Sequence, residues 1–217
     1  MKTDELISLL AAGAAPVPRR AATTTIAVTT AAGITLAAMM MLLTMGARPD
    51  LGQAILRPMF WMKVLFPVTV AVAVAGASFV ALTRLARPGV NARASAIVIT
   101  VPVLVLWLLA IAAYAGAPIP ERSAMVWGLT WQICTLNIAL ISAPIFAAAF
   151  FALRQLAPTR LTQTGACAGA LSGAASAAIY ALHCPETALP FMALWYVAGI
   201  AVPTSIGAWL GWRVLRW

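Results

Sequence analysis

Residues 23–45 read TTTIAVTTAAGITLAAMMMLLTM, a run from Thr23 to Met45 without a single charged side chain. A hydrocarbon core about 30 Å thick takes about 20 apolar residues in a helix, so this run is long enough to cross one. In lipid every backbone N–H and C=O must find its partner within the segment, which selects a helix over an isolated strand. Outward from this run the same pattern recurs from Met59 to Leu82, Ala94 to Ala115, Gln132 to Leu153, Thr164 to Leu182 and Ala188 to Leu210. The expectation is an all-α membrane protein of six transmembrane helices. Composition agrees: 63% of the 217 residues are hydrophobic and 9% charged, too few polar groups to cover a soluble globule of this size.

The net charge is +9, but the basic residues come a few to a loop and are not gathered on one face, which argues against direct nucleic-acid binding. Membrane topology accounts for them better. With the N-terminus inside, Lys2, Arg19, Arg20, Arg84, Arg87, Arg93, Arg154, Arg160, Arg213 and Arg216 fall on the inner side, and Arg48, Arg57, Lys63 and Arg122 on the outer. That asymmetry predicts both termini in the cytoplasm. No small-residue cleavage site follows the first apolar run, so no signal peptide is expected. Arg87-Pro88-Gly89 reads as a turn, and Pro67, Pro102, Pro144 and Pro203 fall inside spans, where they mark kinks. Lys63, at the outer start of the second span, is expected to snorkel to the interface.

Two segments follow from this: a cytoplasmic head, 1–20, and a membrane domain, 21–217. In the head, Thr3 suits a helix N-cap, with Asp4 and Glu5 in the first turn where acids favour the helix dipole. Leu6, Ile7, Leu9 and Leu10 make one side apolar, while Asp4, Glu5 and Ser8 stay polar. So short a helix is marginal alone in water and is expected to form on a partner or on the membrane. Its acidic face repels anionic lipid, which favours a protein partner.

Gly165, Gly169, Gly173 and Ala177 recur every four residues along the fifth span, and Gly199, Gly207 and Gly211 repeat the device in the sixth. Small faces let helix backbones approach closely, so these two spans are expected to pack together and hold the intervening residues as a tight tip. That tip, Ile179-Tyr180-Ala181-Leu182-His183-Cys184-Pro185-Glu186, contains the only histidine of the chain. Topology brings Cys134 to the same outer face, whereas Cys167 lies toward the opposite end. Cys134 and Cys184 are therefore open to a disulfide, to redox chemistry, or to soft-metal binding with His183 and Glu186 nearby. Each thiol could equally be a small buried hydrophobe. The spacing matches no standard zinc signature. No Cys-x-x-Cys pair, phosphate loop or catalytic triad is present either, so an enzyme is not expected and no cofactor is required beyond transient metal. A small multi-pass transporter or a thiol-redox membrane protein is the alternative class, but the spans hold few ionisable groups for transport, with Asn137 their main polar side chain.

The opening Met1-Lys2-Thr3-Asp4-Glu5-Leu6-Ile7, the outer Arg48-Pro49-Asp50-Leu51 with Pro58, Phe60, Trp61 and Lys63, the Cys134 helix, Tyr180 to Glu186 and the closing Leu215-Arg216-Trp217 together resemble the NrsF family of membrane anti-sigma factors. The resemblance runs the length of the chain. It implies an inner-membrane protein that holds an extracytoplasmic-function sigma factor and releases it under envelope stress from heavy metals or oxidants. The family's extracytoplasmic sensing cysteines are matched by Cys134 and Cys184, with His183 and Glu186 as neighbours. The head, Thr3 to Ile7 with Leu9 and Leu10, would be the sigma-binding element, and inner loops could add to that grip.

Overall fold

The computed structural model describes residues 3–5, 8, 21–84, 92–155, 158 and 160–216. Among these every regular element is helical. They are α1 (Ala21–Thr44), the single turn α2 (Leu51–Ala54), α3 (Pro58–Arg84), α4 (Ala92–Gly116), α5 (Ile119–Trp127), α6 (Trp131–Arg154), α7 (Leu161–Tyr180), and α8 (Leu189–Phe191), which runs through a π turn at Met192–Tyr196 into α9 (Val197–Val214). Pro67, Pro102, Pro144 and Pro203 lie inside α3, α4, α6 and α9, as the sequence predicts.

α7 forms the centre and packs on α9, α3, α6 and α1. Its residues are small, so its neighbours come to backbone contact. A Cβ at Gly165 would meet the Gly207 carbonyl oxygen, and one at Gly169 the Pro203 carbonyl oxygen; from the other side, Gly211 faces the Leu161 carbonyl. The expected pairing of the two glycine faces is thus found. Ser176 adds an interhelical bond, its hydroxyl donating to Ile138 O of α6 at 2.9 Å. α1 reaches α6 by the same means, since a Cβ on Gly33 would lie 2.9 Å from Ile145 Cα.

Four runs among the described residues are long and apolar enough to cross a membrane: Thr24–Thr44, Pro58–Gly76, Ile119–Arg154 and Leu189–Val214. The expectation of six is corrected to four by this measure. Within α4, Thr100–Gly116 is a further, shorter apolar helical stretch. α7 is 20 residues long, but glycine, alanine, serine and threonine dominate it, and protein covers most of it. A helix sheathed by other helices needs small packing faces more than lipid-facing side chains. The peripheral helices show the converse, turning Leu36, Leu43, Leu104 and Leu108 outward.

In the head, Thr3, Asp4, Glu5 and Ser8 are helical and exposed, and the Ser8 hydroxyl donates to Glu5 O at 2.9 Å. Leu6, Ile7, Leu9 and Leu10 lie outside the described residues, as does the turn at 87–89.

Candidate functional site

One end of the bundle gathers the tip. α7 stops at Tyr180, and the chain turns through Ala181–His183, where the Leu182, His183 and Cys184 N–H groups bond back to Ile179 O, Tyr180 O and Tyr180 O. α8 restarts with Pro190 in its first turn, where the missing N–H costs nothing. The π turn follows at once and frees a carbonyl: Trp195 O takes a bond from the Thr135 hydroxyl at 3.2 Å. Such turns recur at functional sites because they re-aim side chains within a helix. Here the turn ends on Tyr196, which is fully buried beside the thiols.

Cys134, in the first turns of α6, and Cys184 are both fully buried, both free, and close enough to influence each other within one core cluster. The structure therefore brings together the pair that topology singled out. The Thr130 hydroxyl stands 3.9 Å from the Cys184 sulfur. The Tyr196 hydroxyl lies near the same sulfur, but at a geometry too poor for a proper hydrogen bond, so this buried O–H lacks a partner.

The tip is stapled from three directions. From the α1–α2 connection, Arg48 N–H donates to Leu182 O at 3.2 Å and its guanidinium to Cys184 O at 3.4 Å. His183 Nδ1 pairs with Gly46 O at 2.9 Å, at a glycine with φ 73°. From α3, Lys63 Nζ donates to Cys184 O and to Glu186 O, each at 2.6 Å. From the α5–α6 turn, Leu129 N–H donates to Glu186 Oε1 at 2.7 Å. Gly128 makes that approach feasible, since with φ 53° and ψ −163° it adopts a backbone few other residues can, and a Cβ there would lie 2.8 Å from the carboxyl carbon.

Electrostatics favours negative charge on Cys184. The neighbouring Cys134 thiol holds the Cys184 thiol below its usual range, against the opposing effect of burial, and the Lys63 ammonium and the Glu186 backbone N–H add to the lowering. Beside it the Arg48 guanidinium grips Asp50 through two bonds of 2.6 Å and holds that exposed carboxyl below the ordinary aspartate range.

His183 and Glu186 belong to the same tip, where His183 Nδ1 is engaged with Gly46 and Glu186 Oε1 with Leu129. Among the described residues no group of three or more His, Cys, Asp or Glu is placed to hold a metal ion. One expectation is corrected: Lys63 does not snorkel. It is fully buried, because the carbonyls of the tip offer its ammonium better partners than the interface does. Arg48, Gly128 and Tyr196 were likewise not foreseen as site residues. The signal for Lys63 was a lysine inside an apolar span; nothing local marked Tyr196, whose place depends on the π turn.

The profile of the NrsF family, described as negative regulator of sigma F, matches residues 10–217. The chain is 41% identical over 217 residues to a protein of Azospira oryzae named probable anti-sigma-F factor NrsF, with 100% of each chain covered. It is 38% identical over 228 residues to the anti-sigma-F factor NrsF of Caulobacter vibrioides, again with 100% of each covered. No solved structure matches.

Proposed function

The chain belongs to the NrsF family of negative regulators of sigma F, and from that premise we propose that it is a membrane anti-sigma factor switched by the thiol pair at its tip. Its partner is an extracytoplasmic-function sigma factor, held at the cytoplasmic face of the bacterial inner membrane by the head, residues 1–20. Both termini face the cytoplasm, membrane lipid surrounds the bundle, and the Cys134–Cys184 tip faces outward, where disulfides persist.

The observation that carries the switch is the contact of two buried free thiols at the point where α3, α6, α7 and the loop before α8 meet. Joining the sulfurs by a disulfide, or bridging them with a soft metal, pulls on helices that all pack on α7. Envelope oxidants or heavy metals are the stimuli, and the shifted bundle releases the sigma factor from its cytoplasmic face. Only an event that favours one packing over another can drive release. A complete switch from 1:99 to 99:1 needs about 5.5 kcal/mol, the order that a disulfide or a thiolate–metal site supplies.

Co-purification tests the partner. The tagged full chain, extracted from its native membrane in mild detergent, should bring down an extracytoplasmic-function sigma factor, and a chain lacking residues 1–20 should not. Intact, abundant bait without any sigma factor would end this reading.

A further inference from the structure

The family reading gives Lys63 no role. α3 carries it into the tip with 0% of its surface exposed. Burying an ammonium is costly unless its donors are matched and its charge is answered. Among the described residues no carboxylate lies within ion-pair distance of it; Asp50 is taken by Arg48, and the Glu186 carboxylate by Leu129. Two of its donors instead find Cys184 O and Glu186 O, and the Cys184 sulfur lies close enough to interact with its charge. The Tyr196 ring lies 5.6 Å from the nitrogen and screens it on another side.

Those carbonyls explain why a lysine stands there. Residues 184–188 run without regular structure, and among the described residues no backbone N–H serves the Cys184 or Glu186 oxygen. A buried carbonyl left unpaired is unfavourable, and one ammonium on a long stem can serve two that flank a single residue. Arg48 shares only the Cys184 oxygen, at the longer distance of 3.4 Å. A methionine would fill the same space but leave the Glu186 oxygen bare and the Cys184 oxygen with only the longer Arg48 bond.

We propose that Lys63 is the positioning residue of the thiol pair: seated on the Cys184 and Glu186 carbonyls, it holds the Cys184 sulfur against Cys134 and so sets how readily the two sulfurs join. The inference rests on the reading of that pair as the switch and names the residue that prepares it. Pro185 is exposed between the two anchored residues, so a reagent needs only a local loop displacement to reach the sulfur.

The test is the rate at which an azodicarboxamide oxidant closes the pair in membranes containing the full chain with Cys167→Ala. The Cys184 thiolate adds to one nitrogen of the N=N bond while the other nitrogen takes a proton. The Cys134 sulfur then gives up its proton, attacks the Cys184 sulfur and breaks the S–N bond. The released hydrazine carries the two electrons and two protons lost by the thiols. Misplacing a reacting atom by about 1 Å costs up to about 100-fold, so Lys63→Met should slow closure about 10- to 100-fold. Lys63→Arg, which keeps charge and donors, should recover most of the rate at the same membrane abundance. Closure at the wild-type rate in Lys63→Met, or no recovery in Lys63→Arg, would overturn the proposal, as would a wild-type pair that fails to close. If Lys63→Met does not accumulate, Lys63→Gln is read by the same criteria. A Cys134→Ser, Cys184→Ser strain that still answers its inducer would sink the switch reading while leaving these rates, and the positioning role, intact.

Discussion

The carbonyl oxygen of Pro203 fills the space that a Cβ on Gly169 would need. The oxygen and the Gly169 Cα that would carry the Cβ both belong to helix backbones, so neither can rotate away as a side chain would. Gly169→Val should therefore separate α7 from α9 and destabilise the bundle by about 1–3 kcal/mol or more. Gly76→Ala, where nothing lies within 4 Å, should be neutral or mildly stabilising. Thermal unfolding in detergent, followed by circular dichroism, checks both; equal midpoints would mean that the close approach of the two helices does not hold the fold.

The thiol pair has its own test. A Cys134→Ser, Cys184→Ser chain should accumulate in the membrane and still retain sigma factor, yet a reporter of the sigma regulon should no longer answer oxidant or metal. Cys167→Ser, half-buried in α7 away from the pair, should answer like the wild type. A wild-type response from the double variant removes the cysteines as sensors.

Glu186 pins the α5–α6 turn through Leu129, and three indoles surround that turn. Trp127, Trp131 and Trp195 have ring centroids 4.9, 5.7 and 5.3 Å apart, and Trp195 Nε1 donates to Val126 O at 2.9 Å. Glu186→Ala removes a charged acceptor from a backbone N–H, a loss of about 1.5–3 kcal/mol, and should shift tryptophan emission to the red. Glu186→Gln keeps an acceptor oxygen and should stay near the wild-type spectrum. Gly128→Ala should resemble Glu186→Ala, because its Cβ displaces the same carboxylate.

Asp50 gives a pH prediction. Its folded pKa is depressed, first by its hydrogen bonds to Arg48. Whatever this carboxylate contributes is therefore fully present above the ordinary aspartate range and is lost as pH falls through the depressed value. Carboxyl-carbon NMR of labelled protein should find Asp50 titrating below a free aspartate, and Arg48→Gln should bring it back up. Asp50 is solvent-exposed, so stability between pH 5 and 7 should not change with it.

Much of the fold was legible because lipid imposes a simple rule. Apolar runs located every long helix, and the four-residue spacing of glycines at 165, 169 and 173 paired the two final helices correctly. The number of spans was less legible: α7 is shaped by what packs on it, and its small residues lower its hydropathy without exposing it to water. Of the site, the cysteines and the tip could be read because they are the rare polar chemistry of the chain. The staples could not. Lys63 and Cys184 are 121 positions apart, and their contact depends on how α3 lies against α7, which no local pattern encodes.

The π turn at Met192–Tyr196 carries a consequence for how the tip could have arisen and how it could be lost. Such a turn is one residue longer than the α-helical turn it replaces. Deleting a single residue from it would restore α geometry and rotate everything on its N-terminal side by about 100° relative to α9. The loop bearing Cys184 would swing off Cys134, although every cysteine remained in the sequence. In comparing relatives, a one-residue gap between Met192 and Tyr196 would therefore weigh as heavily as the loss of a cysteine, because the phase of this helix decides whether two retained thiols still meet.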